Sequence, residues 1–78
     1  MEHRNYTLII EPAEDEQGPY FGGYFPDLPG CGSTGRTIGE LRANAQEALA
    51  AHVEALRHTG QPVPKPVIVV EEVSIDVA

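Results

Sequence analysis

Seventy-eight residues make one domain with a small core, so a partner or a second copy is expected to supply part of its stability. Twelve acidic side chains against five basic ones give a formal charge of -7, which argues against DNA or RNA as a direct ligand and favours a basic protein partner. A single cysteine, no basic end with a long apolar run at the start, and no stretch near the ~20 apolar residues of a bilayer span together lead to the expectation of one cytoplasmic domain over residues 1–78.

In chain order, residues 6–11 are rich in β-formers, with Tyr6, Leu8 and Ile10 on one face and Thr7, Ile9 and Glu11 on the other. This predicts a first strand that Pro12 ends. Residues 13–18, acidic and polar, read as a solvated hairpin loop. Residues 20–25 predict a second strand, with Phe21 and Phe25 on one face and Tyr20 and Tyr24 on the other. Gly22 and Gly23 in its middle mark either a bulge or a close approach by another group.

Phe25-Pro26-Asp27-Leu28-Pro29-Gly30 is a corner. Its prolines fix φ, Gly30 is free to take positive φ, and Leu28 is expected to fold back over the sheet. Residues 31–36 form a short third strand of small side chains.

Thr37-Ile38-Gly39-Glu40 has the T-x-x-E form of a capping box. From there Ile38, Leu41, Ala45, Ala48, Leu49, His52 and Leu56 fall on one stripe at the 3.6-residue period. Arg57 and His58 suit the last turn, and Gly60 the stop. A helix over residues 37–59 would be about 30 Å long against about 20 Å for a six-residue strand. It must overhang the sheet, and another subunit or a partner is expected to cover the excess.

Pro62, Pro64 and Pro66 make residues 61–66 a stiff extended connector. Val67, Ile68, Val69 and Val70 then predict a fourth strand buried on both faces. Beyond Glu71 and Glu72, Val73, Ile75 and Val77 alternate with polar residues, as in an edge strand seeking a mate. The expected fold is α+β in the order β-β-β-α-β: a three-stranded antiparallel meander, one long helix on one face, and a fourth strand parallel to strand one.

No constellation of residues reads as catalytic. Cys31 with a histidine could form a nucleophile and base, but nothing local supplies an oxyanion hole or an orienting acid, and a small buried thiol is the plainer reading. His52 lies within the apolar stripe and reads as a packed histidine, while Glu54 and His58 at i, i+4 read as a surface pair rather than two metal ligands. No metal or other cofactor is expected. Glu40, Glu47 and Glu54 recur every seven residues opposite the stripe, interleaved with Ala43, Ala50 and Ala51. They form either an ordinary solvated face or a low acidic ridge that a basic partner can approach closely, with Asp27 in the corner adding to its field.

Residues 25–35, reading FPDLPGCGSTG, followed by Asn44-Ala45-Gln46-Glu47-Ala48-Leu49 and the exit Gly60-Gln61-Pro62-Val63-Pro64, resemble the N-terminal domain of HicB-family antitoxins. The likeness extends from residue 6 to about residue 70. It implies a partial ribonuclease H-like fold of the same element order, no reaction of its own, and a small basic ribonuclease toxin of the HicA type as partner. Ribonuclease H activity is not implied, because the first strand offers only Glu11 where clustered carboxylates would hold metal. Phe25, Pro26, Asp27, Leu28, Pro29, Gly30 and Thr37 are expected to be architectural. No helix-turn-helix or ribbon-helix-helix follows the motif, so the chain is expected not to bind operator DNA. The alternative is an orphan homo-oligomeric regulatory or ligand-binding module without a toxin.

Overall fold

The computed structural model describes residues 2–78. Three strands, β1 (Ile9–Asp15), β2 (Gly18–Tyr24) and β3 (Gly32–Gly35), form an antiparallel sheet in the order β1-β2-β3, and one helix, α1 (Ile38–His58), packs on one face. The class is α+β, as expected. No helix among the described residues is long and apolar enough to cross a membrane.

The hairpin is longer than its sequence suggests. Asp15 pairs with Gly18 and Pro12 with Phe21, so only Glu16 and Gln17 form the turn, and Pro12 lies inside the strand it was expected to end. β1 is an edge strand, where a proline costs no ladder bond if its missing N–H faces outward. The acidic tip is closed by side chains: Gly18 takes φ +112°, and the Asp15 carboxylate accepts from the Gln17 amide at 2.9 Å. The β1–β2 register runs without a bulge through Gly22 and Gly23. A close approach explains one of these glycines: a Cβ on Gly23 would fall 3.1 Å from methyls of both Leu41 and Leu8, whereas one on Gly22 would meet nothing.

The corner closes on itself by backbone bonds, Leu28 donating to the Phe25 carbonyl, and Phe25 and Cys31 pairing across the loop at 3.0 Å. Gly30 takes φ +85°. This places Leu28, fully buried, over the sheet beside Phe25, Cys31 and Ala45. Leu41 completes the set of buried apolar residues, and Tyr6, Leu8, Ala48, Leu49 and Leu56 pack around it half-buried.

Both helix ends follow their capping signals. The Thr37 hydroxyl accepts from the Glu40 amide at 3.0 Å, and Glu40 Oε1 accepts from the Arg36 amide. At the other end Gly60 takes φ +72°, and the amides of Gly60 and Gln61 donate to the carbonyls of Arg57 and Leu56 in a Schellman arrangement. The helix lies over β3 and β2 and does not reach β1. Leu41 and Ala45 in its first half are buried, while Leu49, His52, Val53 and Leu56 in its second half remain half-exposed. The overhang expected from the lengths is present.

The fourth strand is not formed. Residues 61–78 carry no secondary structure, and Val67, Val69 and Val70 are 74, 80 and 64% exposed instead of buried on both faces. The connector explains the difference. Arg4 donates to the Val63 carbonyl, Tyr6 to the Pro64 carbonyl at 2.6 Å, and the Val67 amide donates to Asp27. Prolines between these tethers hold the backbone extended, so the segment passes the corner loop and leaves the sheet.

Candidate partner-binding surface

Glu40, Glu47 and Glu54 are exposed on the outer face of α1, with Ala43, Ala50 and Ala51 exposed between them. Glu40 is partly committed to the helix start through Arg36. Glu47 and Glu54 form no hydrogen bond or ion pair among the described residues, so their full charge faces solvent along a strip of low relief.

Asp27 stands apart from this ridge. It is half-buried in the corner, one oxygen accepting from the Val67 amide at 3.1 Å, while Oδ2 is buried with no partner. The four acidic residues singled out from the sequence therefore make two features: a helix ridge and an anchoring point for the exposed segment. The remaining corner residues are divided between inside and rim, with Phe25 and Leu28 buried, Pro26 half-buried, and Pro29 and Gly30 at the exposed tip.

Cys31 is 4% exposed, and desolvation pushes its thiol pKa above the ordinary value, which disfavours the thiolate a nucleophile requires. His52 is half-buried on the helix, and Glu54 and His58 are exposed. Among the described residues no group of three His, Cys, Asp or Glu is placed to hold a metal.

Two arrangements have no local signature. Arg36, at the end of β3, forks onto both oxygens of Asp15 at 3.1 and 2.8 Å, donates to Gln17, and lies 5.5 Å from the Tyr20 ring centre. It clasps the hairpin tip to the start of the helix. These bonds hold the Asp15 carboxyl below its usual pKa and the guanidinium above its own. The second is a groove of about 390 Å³ lined by Glu2, Arg4, Tyr6, Leu49, Val53, Arg57 and Val63, between the chain's first residues, the overhanging helix and the connector. Its residues are far apart in sequence, and only the tethers to Val63 and Pro64 bring them together.

The exposed features are thus an acidic helix face, a half-covered second half of the helix and an apolar segment in water. Residues 6–76 match the model of the HicB-like antitoxin of bacterial toxin-antitoxin systems. The chain is 39% identical to a UPF0150 protein of Synechocystis over 91% of its own length and 86% of the relative's, and 38% identical to a UPF0150 protein of Thermoplasma acidophilum over 77% and 83%. It is 36% identical to a 14.9 kDa protein from the rep-hol intergenic region of Haemophilus phage HP1, of which it spans only 42%. Among solved structures it superposes with a TM-score of 0.61 and 43% identity on a chain of a HicA3 and HicB3 toxin-antitoxin complex, covering 78% of this chain and 66% of that one. The family's role is that of an antitoxin rather than an enzyme. The chain belongs to the HicB-like antitoxin family of bacterial toxin-antitoxin systems.

Proposed function

We propose that this chain is the antitoxin of a type II pair and acts in the cytoplasm by sequestering a small, basic, mRNA-cleaving toxin of the HicA type. The observation that carries this reading is the 43% identity to a chain of a HicA3 and HicB3 complex. The charge of -7 and the unpaired Glu47 and Glu54 support it, since a nuclease surface that holds RNA is positive and an acidic ridge competes for it. The domain acts by contact alone, without binding nucleic acid itself. Its fold is taken to be of the partial ribonuclease H-like type, with residues 67–70 completing the sheet beside β1 only on association.

Charge reversal tests the ridge. Glu47→Lys with Glu54→Lys should weaken binding of a basic HicA-type toxin and flatten the salt dependence of the affinity. Unchanged affinity and slope would remove the ridge from the contact.

A further inference from the structure

Residues 67–77 have the sequence pattern of an amphipathic strand but pair with no sheet. In extended geometry alternate side chains share a face, so Val67, Val69, Val73, Ile75 and Val77 stand together, interrupted only by Glu71. These five are 74 to 90% exposed. The consequence is visible in the whole molecule: its 6269 Å² of accessible surface exceeds by roughly 1,650 Å² what a folded monomer of its mass exposes. Its radius of gyration is 15.1 Å where about 11.5 Å is usual. Removed from each of two copies, that excess comes to roughly 3,300 Å² in total, within the range of an obligate homodimer interface.

The surface this strand lacks is present elsewhere on the same molecule. β1 has a neighbour on one side only, so its outer edge carries unpaired C=O groups and, except at Pro12, unpaired N–H groups. The helix does not reach over β1, leaving Ile10 half-buried beside that edge. The segment is directed away from its own β1, because Asp27, Tyr6 and Arg4 tether it between prolines at the corner.

We infer that residues 67–77 are an exchange arm, which adds as a strand to the β1 edge of a second copy of this chain while that copy's arm does the same in return. One two-fold arrangement then satisfies both edges and both apolar faces. A second copy fits better than a basic protein as occupant, because five buried side chains are a slender core for a domain that must persist before it meets any partner. The arm carries Glu71, Glu72 and Asp76, and β1 carries Glu11, Glu14 and Asp15. Association between copies therefore runs against like charge, and it tightens as salt screens that repulsion. Capture of a basic partner responds to salt in the opposite sense.

The test is sedimentation equilibrium of the purified full chain across a salt series, alone, with Val73→Ser/Ile75→Ser beside it. These side chains are exposed in the monomer, so the variant retains its own fold, which circular dichroism checks. A dimer that strengthens with salt, and weakens at least about tenfold in the variant, is expected. Isotope-filtered NOEs in a mixed labelled and unlabelled sample should connect arm and β1 between chains. A monomer throughout, a dimer indifferent to the substitutions, arm-to-β1 NOEs only within one chain, or an arm protected from amide exchange solely when a basic partner is added would each overturn it. None of these readings depends on toxin inhibition.

Discussion

Gly35 and Leu41 meet backbone to backbone: a Cβ built on Gly35 would fall 2.8 Å from the Leu41 Cα and closer still to its amide nitrogen. The helix can turn directly off β3 because the strand's last residue has no side chain. Leu41 can then sit fully buried, with its methyls over Gly23. Gly35→Ala should therefore lift the helix from the sheet and cost about 3 kcal/mol, the upper part of the overpacking range, since backbone cannot swing aside. Gly22→Ala, built into open space, should change stability by less than about 0.5 kcal/mol. Urea unfolding of the two variants checks the contrast.

Leu28→Ala empties the fully buried position that the corner exists to fill, and should cost about 2–5 kcal/mol in the same assay. Thr37→Ala removes the hydroxyl that accepts from the Glu40 amide, together with an exposed methyl, and about 1 kcal/mol is expected.

Cys31 should resist alkylation in the native protein and react only as the chain unfolds, because it is buried and its thiol is held protonated. Labelling by a maleimide across a urea series should follow the unfolding curve. Rapid labelling without denaturant would contradict the buried corner.

Acid stability should depend on the clasp at the hairpin tip. Arg36 lowers the Asp15 pKa in the folded state, so the pair contributes stability above the unfolded aspartate value of about 3.9 and loses it as pH falls through the depressed folded value. Asp15→Asn should flatten the stability profile below about pH 5 and change it little at neutrality, where an exposed pair is worth little. Molar salt should reproduce part of that flattening in the parent protein.

Much of the fold is legible because its signals are local. Thr37 with Glu40 and Gly60 after Arg57 mark the helix ends within a residue or two, and the aromatic alternation of residues 20–25 identifies β2 and its faces. What fails is what depends on distant residues. Pro12 ends a strand by propensity, yet it sits inside β1, and the acidic tip is ordered by Arg36, which lies 21 residues from Asp15. Val67 to Val70 have the composition of a buried strand, but bonds from Tyr6 to Pro64 and from Val67 to Asp27, with the prolines between, lead them past the corner. The acidic ridge was visible from the seven-residue spacing, while the separation of Asp27 from it depends on a bond to Val67 that no spacing encodes.

The decisive experiment is titration of this chain into an RNA-cleavage assay of a HicA-type toxin, taken from the neighbouring gene of its source genome. Cleavage should stop at a fixed stoichiometry, and raising salt should restore it as the complex loosens. Cleavage that continues with the chain in excess, with no complex by native mass spectrometry at low salt, would contradict the proposed sequestration.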